Sequence, residues 1–188
     1  MSIRSSGADW SIEESVDAPL ITALYGRDAL GIERQPTEPP LLSPPVPRSE
    51  EPSGPGMYRD TWTGLIRALL RGAGTPSLTG TQQAALVAFR PQADEWVVTG
   101  KQILRTHSLG RSRVTPGTIL RDGLSGMVLP RAVAVRVDIV PSAQDWHSVL
   151  DQRVVITTAG LDSQDELRTA MGAVIQQIKN GGAGSWNR

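Results

Sequence analysis

Two histidines, His107 and His147, are the only imidazoles in the chain, and it contains no cysteine. Thiolate nucleophiles, disulfides and cysteine-based zinc sites are therefore absent, which suits a reducing compartment. Neither histidine sits in an HxxxH or HExxH pattern, so a metal site would have to be assembled from carboxylates. Asp94–Glu95 and Asp165–Glu166 are adjacent pairs. Neighbouring side chains diverge on a helix or a strand, so neither pair converges on a substrate. "TGKQ" (Thr99–Gln102) lacks the upstream glycine of a phosphate loop, and Gln102 stands where Ser or Thr would hold magnesium. No GxSxG elbow occurs. The chain is expected to be non-catalytic, with no cofactor and no metal.

The chemistry with more support is electrostatic. Lys101, Arg105, His107, Arg111, Arg113 and Arg121 fall within 21 residues that contain no acid, with Leu104 and Leu109 interleaved. The run reads either as a solvated loop or as a footprint for anionic lipid or phosphate. Lys101, Arg105, Arg111, Arg113 and Arg121 are the candidate contacts. The stretch has no aromatic residue, so stacking on single-stranded RNA lacks a platform and no sequence-specific nucleic-acid binding is expected.

Charge is unevenly spread along the 188 residues. Residues 1–60 hold ten acids and five arginines; residues 61–188 hold nine acids and fourteen basic side chains. An acidic arm on a mildly basic body is implied. No segment reaches the roughly 18 uninterrupted apolar residues of a membrane span, so membrane contact is expected to be peripheral.

The arm is expected to cover residues 1–56. Leu20, Ile21, Leu24, Tyr25, Leu30 and Ile32 form an apolar cluster too small to bury a core. It is read as part of a disordered arm, or as a docking segment for a partner or a second copy. Residues 36–56 contain eight prolines, which fix φ and remove backbone donors, so an extended, semi-rigid segment follows. Pro44, Pro45 and Pro47 in "SPPVPR" are either spacer or a weak PxxP-like ligand.

Residues 57–188 are expected to form one α+β domain: a mostly antiparallel sheet packed with two amphipathic helices and preceded by the proline-rich arm. Trp62, Leu65, Ile66, Leu69 and Leu70 recur at helical spacing, with Asp60 or Thr61 as a cap and Gly72 and Gly74 as stops. Leu167, Ala170, Met171, Val174, Ile175 and Ile178 do the same behind a Ser163/Glu166 capping box. "AALVAF" (84–89), read as strand because Pro91 follows, and "EWVVTGKQIL" (95–104), read as two strand pieces, supply part of the sheet. "AVAVRVDIV" (132–140) and "QRVVITTA" supply the rest. "RTHSLGRSRVTPGT" (105–118) reads as a loop and "PSAQDWHSVL" (141–150) as a short helix capped by Ser142.

Three stretches, "YRDTWTGLIRALLRG", "LTGTQQAALVAF" and "SQDELRTAMGAVIQQIKNGGAGSW", together resemble the matrix proteins of rhabdoviruses and related negative-strand RNA viruses. The resemblance covers roughly a third of the chain. It implies a structural protein that self-associates as a homo-oligomer, contacts anionic membrane and viral nucleocapsid, and supports virion assembly and budding. The implied location is the inner face of the envelope, with host cytoplasm and peripheral membrane. It also implies docking of an N-terminal segment on a neighbour, for which Leu20, Ile21, Leu24, Tyr25, Pro44, Pro45 and Pro47 are the matching positions. The alternative is a bacterial or phage cytoplasmic adaptor that offers the proline-rich arm as ligand.

Overall fold

A computed structural model describes residues 2–4, 10–49, 55–109, 114–127 and 132–181. Five strands, β1 (Ser2–Arg4), β2 (Trp10–Ser15), β3 (Val133–Val140), β4 (His147–Leu150) and β5 (Arg153–Thr157), form one sheet in the order β1-β2-β3-β5-β4. The helices are α1 (Ala18–Ala29), α2 (Pro55–Leu70), α3 (Gly80–Leu109), α4 (Pro116–Leu124), α5 (Thr158–Asp162) and α6 (Gln164–Gly181). The fold is α+β as expected, but the sheet is mixed. β2–β3 and β3–β5, at its centre, run parallel, and only the outer pairs β1–β2 and β4–β5 are antiparallel.

Alternation along β3 and β5 divides the interior in two. Val133, Val135, Val137, Ile139, Val154 and Ile156 face α4, α5 and α6. Val140 and Val155 face α1, α2 and α3. Both expected helices are present, and their apolar stripes are the ones the periodicity marks. Trp62, Leu65, Ile66 and Leu69 are at most 1 % exposed. Burial of each such side chain contributes roughly 1.5–3 kcal/mol as an upper bound. Gly72, at φ +81°, ends α2: its N–H donates to the Leu69 carbonyl and the Ala73 N–H to the Ala68 carbonyl, which satisfies two carbonyls of the last turn.

The expected strands at 84–89 and 95–104 are instead parts of one 30-residue helix, α3. Leu86, Ala93, Trp96, Val97 and Gly100 are buried while Val87 and Val98 are exposed, which is helical rather than two-residue spacing. Pro91 does not break it. Pro91 and Val87 both lie on the exposed side, so the Val87 carbonyl, which loses its donor to proline, faces water. The described residues of the expected loop at 105–118 are also largely helical. Residues 105–109 finish α3, and Thr115 begins α4 through a reciprocal cap with Thr118 (3.1 and 2.8 Å).

The expected helix at 141–150 is a bend followed by the edge strand β4. Ser142 Oγ accepts from the Gln144 N–H at 3.3 Å, while the Ser142 carbonyl accepts from Thr158 Oγ1 at 2.6 Å. The serine closes a turn and pins it to the start of α5 instead of opening a helix.

Residues 10–49 are not a detached arm. β2 lies inside the sheet, and α1 is buried against α2 and α3. The fold thus draws no boundary at residue 56. The proline-rich segment as far as Ser49 runs over α1 as a strap. Arg27, wholly buried, donates to the carbonyls of Pro39 (2.6 Å) and Pro40 (3.0 Å). Asp28 accepts from the Leu42 N–H at 2.8 Å, and Trp96 Nε1 donates to the Pro44 carbonyl at 2.8 Å. A proline segment cannot pair through its own N–H groups, so side chains from the helices satisfy its carbonyls.

Candidate functional site

Leu20, Ile21, Leu24 and Tyr25 are buried in the chain's own core, the first three at 0 % exposure and Tyr25 at 7 %. Tyr25 packs edge-on against Trp96 with ring centroids 4.8 Å apart. These side chains are consequently unavailable for docking on a neighbour while the fold is closed. They escape a sequence reading because their partners lie far along the chain, on α2 and α3; Tyr25 meets Phe89 and Trp96. Pro44, Pro45 and Pro47 are exposed, and Val46 between them packs against the core. The strap therefore presents these prolines outward on a backbone held from within.

Of the basic candidates, Lys101 and Arg105 lie one turn apart on the exposed side of α3. Neither has an acidic partner among the described residues. Arg121 is exposed on α4 and pairs with Asp122, its neighbour, at 3.1 Å. Arg111 and Arg113 lie outside the described residues. Lys101 and Arg105 are thus held by a helix, not by the solvated loop that the sequence suggests. Arg105 also suits its place near the negative end of the α3 dipole.

The buried charges serve the fold. Asp138, wholly buried on β3, accepts from Arg153 Nε (2.6 Å), Arg136 Nε (2.9 Å) and Ser15 Oγ (2.6 Å). Asp17 caps α1 with one oxygen, taking the Leu20 N–H at 3.0 Å. Its other oxygen accepts from Arg153 (2.8 Å) and Arg136 (3.2 Å). Arg153 also donates to the Leu69 and Leu70 carbonyls at the end of α2. One guanidinium therefore ties the start of α1, the end of α2 and two strands together. At the strap, burial pushes the Asp28 carboxyl above its usual range. Arg27, the Leu42 N–H and Arg48 oppose that shift without cancelling it.

His147 meets Glu166 at 2.6 Å through Nδ1, and both are partly exposed. Glu166 thus turns toward β4, not back to the Ser163 backbone as a full capping box requires. Only the Ser163 half is made, with the Glu166 N–H at 3.4 Å. Asp165 stays exposed. Among the described residues no three His, Asp or Glu side chains gather as metal ligands, and no helix is long and apolar enough to cross a membrane.

One cleft of about 360 Å³ lies where the strap, α2 and β4 meet. Its walls include Glu38, Arg67, Arg71 and the consecutive strand residues Ser148, Val149 and Leu150. Arg67 and Arg71 are one turn apart and exposed, and neither has an acidic partner among the described residues. Sequence reading misses this site because 141–150 reads as helix, which hides the edge strand. Comparison with family models, with curated proteins and with solved structures finds no match.

Proposed function

We propose that the protein is a non-catalytic, matrix-like assembly protein that works by surface contact: with copies of itself and with anionic membrane. The observation that supports this most directly is the exposed Lys101/Arg105 pair on α3, free of acidic partners among the described residues. Two basic side chains at an anionic surface contribute about 2 kcal/mol, roughly thirtyfold in affinity. Multiple copies in an assembly raise that further. Nucleocapsid binding, and support of virion assembly and budding at the inner face of an envelope, follow from the sequence resemblance and belong to the same reading.

In this reading self-association uses the outward rim of the strap, Leu41, Pro44, Pro45 and Pro47, because Leu20 to Tyr25 are occupied inside the fold. Light scattering of the wild type and of a Leu41→Asp, Pro45→Asp variant tests it. Concentration-dependent oligomers that the variant abolishes are expected. A chain that stays monomeric at high concentration rules self-association out.

The second reading, a protein-binding adaptor in a bacterial or phage cytoplasm, is favoured by one specific feature, the cleft beside β4. It would act through the folded body. The strap's backbone carbonyls at Pro39, Pro40 and Pro44 are already taken by Arg27 and Trp96.

A further inference from the structure

We propose that the cleft beside β4 captures an extended acidic peptide of another protein, which adds to the sheet as a sixth strand. Successive side chains on a strand point to opposite faces. A cleft touched by Ser148, Val149 and Leu150 in succession therefore runs along the rim of β4, not over one face. Among the described residues β4 ends the sheet, paired on one side only, with β5.

Its hydrogen-bonding register is set at the start of the strand. The Thr157 N–H donates to the Trp146 carbonyl at 3.0 Å, so antiparallel alternation turns Ser148 and Leu150 toward β5. His147 and Val149 are left with N–H and C=O directed away from it. Edge strands are commonly guarded by lysine, proline or a bulge; His147–Leu150 carries neither residue.

The charge beside this rim selects the occupant. Arg67, on the last turn of α2, and Arg71, just after its end, are exposed without acidic partners among the described residues. Glu38, the one acid among the described residues of the lining, does not neutralise them. It is buried, accepts from the Gln35 N–H at 3.3 Å and lies 3.7 Å from Arg27. Leu150, 40 % exposed, and Leu70 offer apolar contact between the charges and the strand. Main-chain pairing supplies affinity, and side chains at alternate positions supply choice, in this mode of recognition. A second copy is the poorer occupant. Two β4 strands paired across a two-fold axis would bring both sets of Arg67 and Arg71 onto one face, like charge against like.

The test uses two fluorescein-labelled hexapeptides, one alternating Glu and Val and one alternating Lys and Val, with anisotropy as readout on the full chain. The Glu/Val peptide should bind saturably and at least about tenfold more tightly than the Lys/Val peptide, with the gap narrowing in high salt. R67E/R71E should reverse the preference. Val149→Pro removes a donor that β5 does not use, a position where an edge strand tolerates proline; it should weaken both peptides while circular dichroism stays unchanged. Equal binding of the two peptides, binding indifferent to Val149→Pro, or no binding of either overturns the proposal. So does an isolated protein that light scattering shows to be a dimer and that Val149→Pro makes monomeric, because the rim would then belong to a second copy.

Discussion

Arg27, with none of its side chain exposed, donates to the Pro39 carbonyl at 2.6 Å from twelve residues away. The same guanidinium reaches Pro40 and Asp28. A proline-rich stretch that composition marks as a solvated spacer is thereby made part of the core, and Leu42 beyond it is only 3 % exposed. Arg27→Met should cost about 3–5 kcal/mol, since it leaves Asp28 and Glu38 buried without their cation. Urea unfolding monitored by tryptophan fluorescence measures this. A loss below about 1 kcal/mol, the scale of a surface pair, would show that the clasp does not hold the strap.

Asp28 should make stability depend on pH in the sense opposite to an ordinary ion-paired carboxylate. Its folded pKa is raised, first by burial. The folded state then holds the proton more tightly than the unfolded chain does. The stability that Asp28 gives, measured against an Asp28→Asn variant that does not titrate, is therefore fully present below the ordinary aspartate range. It is lost as pH rises through the raised folded value. Denaturation of wild type and Asp28→Asn across acid to neutral pH should show the wild-type advantage shrinking upward. An advantage that grows with pH contradicts this.

Gly26 and Gly172 should respond to alanine with opposite signs. A Cβ at Gly26 would fall 2.4 Å from the ring of Trp62, a side chain only 1 % exposed and unable to yield. Gly26→Ala should destabilise by about 1–3 kcal/mol. Gly172, on the exposed side of α6, has nothing within 4 Å of its Cβ direction. Gly172→Ala should stabilise by about 0.5–1 kcal/mol through helix propensity. Thermal melts of the two variants decide both.

Asp138→Ala removes the acceptor shared by Arg136, Arg153 and Ser15. A loss of about 1–3 kcal/mol in urea unfolding is expected, because Arg153, mostly buried, keeps Asp17 but loses its shorter bond to Asp138. Asp138→Asn should recover part of it by keeping a carbonyl acceptor. Equal losses for both would mean that the site depends on charge alone.

Legibility follows the range of the interaction. α2 and α6 can be read directly because each carries an apolar stripe at helical spacing with its own stop or cap. β3 is legible because Val133, Val135, Val137 and Ile139 alternate. The parallel pairing of β2 with β3 cannot be read: Trp10 meets Val133 across more than a hundred residues, and Trp10 and Ile12 alone make no strand pattern. α3 is hidden because Pro91 and the β-branched Val97 and Val98 imitate strand punctuation in short windows. β4 is hidden because Ser142 and Asp145 imitate a helix cap. Lys101 and Arg105 are visible as charge but not as a helical pair, and Arg67 and Arg71 gain a meaning only once β4 is placed beside them.

Contact with an anionic surface through Lys101 and Arg105 is the centre of the proposed function. Co-sedimentation with phosphatidylserine-containing and pure phosphatidylcholine vesicles, at low and high salt, tests it most directly with the wild type and K101E/R105E. Salt-sensitive binding to the phosphatidylserine vesicles alone, lost in the variant while its fold is kept, is the result expected. Binding that ignores lipid charge, or that survives K101E/R105E, contradicts it.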